Sequence, residues 1–249
     1  MNLLLTPFLT NTPQQRQFEW LLGHFALPYK RMRWTWWNHG VIELVIKLRM
    51  FRFRFMLSDA ILLLNHQVFN DPLAAAEFLT RTCEPSLVPA LYRDEIENWA
   101  RRGKEFTTAF RALRQEQESL ALETKLRFHY LETPPPTEMS LLRRVAPRLL
   151  SWWRRRFRLP PTEVKNHEQL LHNFCLDVRE TLSRQGDYLL GSFSFADVAV
   201  ATSLHNLLNT APEASRFQSE MGELLNSQFS DLLSWCIAIC QHDVRSVAK

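Results

Sequence analysis

The chain has 249 residues, 46% of them hydrophobic and 22% charged, with only six glycines against thirteen prolines. That composition describes a globular protein with room for one large domain or two small ones, and it argues against a turn-rich all-β fold. The formal net charge of +4 is uneven: residues 30–56 hold seven Lys/Arg against the single acid Glu43, and residues 140–161 hold seven Arg and no acid, so the remainder is acidic and a general nucleic-acid binder is disfavoured.

In chain order, the opening MNLLLTPFLTNTP has no basic n-region and is broken by Pro7, which makes a poor secretory signal, so cytoplasmic residence is expected. Leu3 to Pro7 reads as a short strand. A helix from Gln14 to Phe25 follows, with Phe18, Leu21, Leu22 and Phe25 on one side, Pro13 at its first position and Thr12 as its cap. Tyr29 to Trp37 is extended and aromatic. Ile42 to Leu48 and Arg49 to Met56 read as a pair of strands, FRFRF alternating as a half-buried strand does. VIELVIKL carries Glu43 and Lys47 and is too polar and short to span a membrane. Ser58 is read as the cap of a helix DAILLLNHQ that stops near Asn70-Asp71-Pro72.

Beyond Pro72 the pattern predicts helices alone. LAAAEFL is short and EPSLVP is a linker. Tyr92 to Tyr130 is a long helix carrying Ile96, Trp99, Phe106, Phe110, Leu113 and Leu120 at helical spacing, ended by Thr133-Pro-Pro-Pro-Thr137. A basic helix, an amphipathic helix from Thr162 to Arg184 and a last helix from Phe229 to Cys240 complete the chain. Cys83, Cys175, Cys236 and Cys240 form no CxxC pair, and Cys236 and Cys240 on one helix face read as small buried hydrophobes. His167-Glu168 and His172 miss the zinc-protease pattern, because histidines five apart leave a common helix face; no metal site is expected.

The stretch GDYLLGSFSFADVAV, Gly186 to Val200, carries the sharpest local signal. Gly186 suits the left-handed end of one helix, and Gly191 suits a tight turn into the next. Ser194 is placed to accept from the amide three residues on, while the Asp197 carboxylate reaches back to the Ser194 amide, an acidic capping box with Phe193 and Val198 at the staple positions.

This Tyr-Leu-Leu-Gly turn followed by Ser-x-Ala-Asp resembles the C-terminal all-helical domain of the glutathione transferases. Tyr92 to Trp99 (YRDEIENW) looks like that domain's first helix, and Asp231 to Trp235 (DLLSW) like its last. In the N-terminal half, Thr12-Pro13-Gln14-Gln15-Arg16, Trp20-Leu21-Leu22 and Ala26-Leu27-Pro28-Tyr29 resemble the family's first helix and its run into the second strand. Val45-Ile46-Lys47-Leu48 and Leu57-Ser58-Asp59-Ala60-Ile61 look like its third strand and its glutathione-binding helix. The resemblance implies an α+β protein: a degenerate thioredoxin-like βαβ-ββα domain over residues 1–83, then an all-helical domain over residues 88–249.

It also implies glutathione as co-substrate. By position Thr12 matches the family's thiol-activating Ser, Cys or Tyr, with Thr10 and Asn11 next, and a hydroxyl at a helix N-terminus favours an anion. Val45, Ile46, Ser58 and Asp59 match the positions that hold the tripeptide, and Trp99, Phe106 and Phe110 those that would rest against an apolar substrate. Two departures stand out: Ile46 replaces the family's cis-proline, and Leu57 replaces an acid or glutamine. A homodimer is implied by analogy only. The activity implied is conjugation of the glutathione thiolate to a hydrophobic electrophile; the alternative is a non-catalytic interaction module of the same fold.

The basic segments have their own reading. In Pro147 to Leu159, Leu149, Trp152, Trp153 and Phe157 share one side and Arg148, Arg154, Arg155 and Arg158 fall largely on the other, as in an interfacial helix on an anionic membrane. Trp34, Trp36 and Trp37 beside Lys30, Arg31 and Arg33 offer a second contact, to a membrane or an acidic protein. Packing of the tryptophans in the core, with the arginines in water, is the plainer alternative. Arg52 and Arg54 read as charges guarding an edge strand.

Overall fold

The computed structural model describes residues 2–7, 12–34, 60–65, 67–82, 87–127, 148, 151, 159–208 and 228–246. The chain forms two compact units, one of Met1–Gly103, Val178–Leu208 and Asp231–Lys249, the other of Lys104–Asp177 and Asn209–Ser230.

In the first unit a four-stranded sheet has the order β2-β1-β3-β4. β1 (Asn2–Pro7) runs parallel to β2 (Tyr29–Trp34), with Asn2 opposite Tyr29 and Leu5 opposite Met32. Parallel neighbours need a crossover, supplied by α1 (Pro13–His24). β3 (Ile61–Leu64) pairs antiparallel with β1, Leu4 facing Leu62, and β4 (Gln67–Phe69) pairs antiparallel with β3. Leu4, Leu5 and Thr6 are buried in succession, as in a central strand covered on both faces.

The helix expected from Ser58 over DAILLLNHQ is not formed; that stretch holds β3, a turn and the start of β4. Leu64 pairs with Gln67, and Asn65 after β3 takes φ 47, a left-handed conformation that Asn tolerates. Pairing with β1 buries Ile61, Leu62 and Leu64 together, which one face of a short helix cannot do. The strands expected at 42–48 and 49–56 lie outside the described residues. Of the basic segment, Arg148 and Ser151 are described as helical and exposed.

Helices follow: α2 (Pro72–Thr82), a 3-10 turn (Ala90–Tyr92), α3 (Arg93–Arg127), α4 (Pro161–Gln185), α5 (Phe195–Leu208) and α6 (Ser230–Ser246). Asp94 and Glu95 in the first turn of α3 complement its dipole, and Arg93 pairs with Glu77 of α2 at 2.8 Å. In the second unit Phe106 of α3 meets Phe174 of α4 with ring centres 4.7 Å apart, and the Glu116 carboxylate accepts the Leu159 N–H at 2.8 Å.

α5 is buried on every side from Phe195 to Leu204, the pattern of a central helix. Gly186 (φ 94) and Gly191 (φ 73) take the left-handed conformations their positions require. Asp197 reaches back to the Ser194 N–H at 2.9 Å as expected. The Ser194 hydroxyl, however, donates to the Asp197 carboxylate at 3.1 Å, and the Asp197 N–H is met by the Ser194 carbonyl at 3.2 Å. The other carboxylate oxygen accepts the Leu189 N–H at 2.8 Å, so one side chain ties the turn and starts the helix.

Candidate functional site

The N-terminal turn of α1 gathers the polar side chains of Thr12, Gln14 and Gln15. Thr12 caps the helix in extended conformation (φ −84, ψ 153), and its Oγ1 accepts the Gln15 N–H at 3.2 Å. Pro13 follows at the first helical position, where the missing N–H costs nothing. Accepting a bond occupies a lone pair of the hydroxyl and leaves its hydrogen as a separate donor. Thr12 is only 5% exposed, so a ligand reaches its hydroxyl only with movement of its neighbours, and a bond formed there lies in a low-dielectric setting beside the positive end of the α1 dipole.

Two distant backbone segments close on this turn. The Gln14 carboxamide donates from Nε2 to the Ala60 carbonyl at 2.9 Å and to the Asn70 carbonyl at 2.6 Å. Ala60 is fully buried and leads directly into β3. Asn70 leads into Asp71, whose carboxylate accepts the Leu73 N–H at 3.2 Å and whose carbonyl accepts the Ala75 N–H at 3.2 Å, starting α2. Two helix N-termini and the entry to β3 therefore share one corner of the sheet.

On the flank of α1, Glu19 accepts from Gln15 Nε2 at 3.0 Å and pairs with Arg31 of β2 at 3.1 Å. Arg16 carries its charge into partial burial, which lowers its pKa, and it lies near Cys240 and depresses His205 after burial has done so first. Burial pushes the Cys240 thiol up against the pull of Arg16, so that sulfur stays protonated at neutral pH and is a poor nucleophile. Cys175 and Cys236 are buried. Among the described residues no group of three metal-ligating side chains comes together, and no helix is long and apolar enough to cross a membrane.

Of the residues singled out from sequence, Thr12 stands at the helix cap expected of it. Val45, Ile46, Ser58 and Asp59 lie outside the described residues. Among the described residues, the third strand is Ile61–Leu64 and the helix after the hairpin is Pro72–Thr82. Among these residues, Ala60 precedes β3 and Asp71 caps α2. Trp99, Phe106 and Phe110 are 7%, 1% and 5% exposed, so each offers little surface to a ligand without movement of its neighbours. Arg102 lies over the Trp99 ring at 4.8 Å. From sequence, no part in this turn falls to Gln14, Ala60, Asn70 or Asp71; Asn70-Asp71-Pro72 reads as the end of one helix before the short LAAAEFL helix, and these residues stand at the start of α2.

No family model and no curated protein matches this chain. Solved structures do. A glutathione transferase of Phanerochaete chrysosporium is similar at 13% identity over 97% of this chain and 98% of that one, with a TM-score of 0.62. A glutathione S-transferase of Methylobacillus flagellatus with glutathione bound is similar at 13% identity over 96% and 94%, TM-score 0.59. A glutathione S-transferase of Ceriporiopsis subvermispora in complex with glutathione is similar at 15% identity over 97% and 97%, TM-score 0.59. With its thioredoxin-like sheet followed by helices, the chain has the fold of the glutathione transferases.

Proposed function

We propose that this protein binds glutathione or a related small thiol at the N-terminal turn of α1, with Thr12 donating to the thiolate. The observation that carries the reading is the buried Thr12 hydroxyl at a helix N-terminus, in a fold whose solved relatives include structures with glutathione bound. The helix dipole and a donated hydrogen bond both favour the anionic sulfur, which is the reactive form. In the reaction proposed, the thiolate sulfur forms a bond to an electrophilic carbon of an apolar substrate. The electron pair of the bond that breaks leaves with the departing group, and Thr12 moves no proton. Ala60, before β3, and Asp71, at the start of α2, take the places that sequence matching gave to Val45 and Ile46 and to Ser58 and Asp59. A second copy of the chain as partner belongs to the same proposal.

A second reading has its own observation. Lys30, Arg31 and Arg33 lie exposed along β2 at the sheet edge beside exposed Tyr29 and Met32. On that reading the fold is a non-catalytic module whose basic aromatic strand meets an acidic protein or an anionic membrane.

Calorimetric titration of the purified protein with reduced glutathione tests the first reading, alongside Thr12→Ser and Thr12→Val. Binding in the micromolar to low millimolar range is expected. Thr12→Ser keeps donor and cap and retains turnover, whereas Thr12→Val loses a bond to a charged group, worth about 1.5–3 kcal/mol, and turnover falls about ten- to a hundredfold. No heat and no thermal shift at saturating glutathione would sink the enzyme and leave the module, to be pursued with anionic vesicles and pull-downs.

A further inference from the structure

Gln14 does a task that the proposed chemistry does not mention. Its Nε2 has two hydrogens, and they go to two carbonyl oxygens contributed by residues 46 and 56 positions away in sequence. The amide orientation is thereby fixed, since a flipped carboxamide would set Oε1 against both carbonyl oxygens. Thr12 and Gln14 belong to the same helical turn, so the carbonyls of Ala60 and Asn70 are held at a set place relative to the Thr12 hydroxyl.

We propose that Gln14 is a positioning residue: its carboxamide clamps the backbone entering β3 and the backbone entering α2 onto the first turn of α1, and so fixes the polar frame that a thiol bound at Thr12 meets. This rests on the reading of the α1 turn as the thiol site. Few other side chains would serve. A hydrocarbon supplies no donor, Asn is a methylene shorter, and a carboxylate presents oxygen to oxygen. The placement of Gln14 at the second helical position also separates the two jobs. Thr12 meets the sulfur, and Gln14 need not touch the ligand at all.

The experiment uses the full chain as wild type, Gln14→Leu and Gln14→Glu, with amide hydrogen exchange and glutathione calorimetry on each. Loss of the clamp speeds exchange about tenfold or more at residues 61–64 and 73–76 in both variants, while residues 18–22 of α1 and 196–204 of α5 keep wild-type protection. Glutathione affinity falls about tenfold. Gln14→Glu recovers affinity as pH is lowered through the carboxyl pKa, for the protonated acid regains one donor; Gln14→Leu does not recover. Unchanged exchange at 61–64 and 73–76 would overturn the clamp. Faster exchange there with wild-type affinity would reduce it to a structural tie and overturn the positioning role, and uniform loss of protection across α1 and α5 would overturn its local character. If the wild type binds no glutathione, the thiol-site reading fails and takes the positioning role with it, while exchange still decides whether the clamp exists.

Discussion

Asp197 is buried completely, yet three donors converge on its carboxylate: the Leu189 and Ser194 N–H groups and the Ser194 hydroxyl. Burial opposes the charge more than these bonds favour it, and the pKa is raised from its ordinary 3.8. A raised folded pKa gives a contribution to stability that is fully present below 3.8 and is lost as pH rises through the folded value. Asp197→Asn has one acceptor oxygen for two backbone donors and leaves an N–H unpaired, a cost of about 1–3 kcal/mol. Measured by urea unfolding, that cost is expected to be larger near pH 4 than near pH 7, because at neutral pH the wild type bears the charge burial that the variant escapes. A larger cost at neutral pH would mean that the hydrogen bonds win over burial. Asp231 has the opposite sign. Its hydrogen bonds from Arg179, at 2.5 and 2.7 Å, hold its pKa below the ordinary value, so its contribution is present above 3.8 and lost as pH falls through the folded value. Half-exposed and screened, the pair is worth about 0–1 kcal/mol, and Asp231→Asn is expected to flatten the acid limb of the unfolding profile by no more than that.

Among the elements, α3 comes close to α5 at Gly103. A methyl group there would stand 3.0 Å from Ser203 Oγ and 3.4 Å from the Ala199 carbonyl oxygen, and Ser203 Oγ is itself held by that carbonyl at 2.8 Å. Ala has a helix preference over Gly of about 1 kcal/mol, which the clash opposes. Gly103→Ala is therefore expected to destabilise in the wild-type background and to become stabilising, by up to about 1 kcal/mol, once Ser203→Ala clears the space; a double-mutant cycle of thermal unfolding reads the coupling directly. Additive effects would mean that the helices part without strain. Elements decided by near neighbours in sequence were legible in it: Pro13 and Thr12 set the start of α1, Ser194 and Asp197 that of α5, and the helical spacing of Ile96, Trp99, Phe106 and Phe110 gave α3. β3 was not. A four-residue apolar run has no period of its own, Ser58-Asp59 offers a plausible cap, and only pairing with β1, some 60 residues earlier, selects the strand. The candidate site divides the same way: Thr12 was found from its local pattern, whereas Gln14 has meaning only through carbonyls brought to it by the sheet.

For the whole molecule the question is what folds with what. Residues 1–83 read in sequence as a degenerate thioredoxin-like domain, and the compact unit that contains the sheet consists of Met1–Gly103, Val178–Leu208 and Asp231–Lys249. The reason lies on α1. The helix buries Phe18, Leu21 and Leu22, while Gln17 Nε2 donates to Thr202 Oγ1 at 3.0 Å and the Trp20 ring lies 5.5 Å from that of Phe193, which in turn meets Tyr188 at 5.5 Å. Without the 186–208 segment, α1 presents an aromatic and amide face to water with nothing to replace its partners, and a sheet of four short strands with two helices is left to stabilise itself. A fragment of residues 1–87 is therefore expected to melt without a cooperative transition, whereas the same fragment mixed with residues 88–249 regains one, as followed by near-ultraviolet circular dichroism. A sharp transition from the fragment alone would show that α5 is dispensable to the sheet. The consequence for function is specific. Thr12 and Gln14 sit at one end of α1 and the α5 contacts hold its body, so Phe193→Ala in the intact chain, though far along the helix from Thr12, is expected to lower thermal stability by about 1–3 kcal/mol and to weaken glutathione binding only in proportion to the fraction of chains that it unfolds.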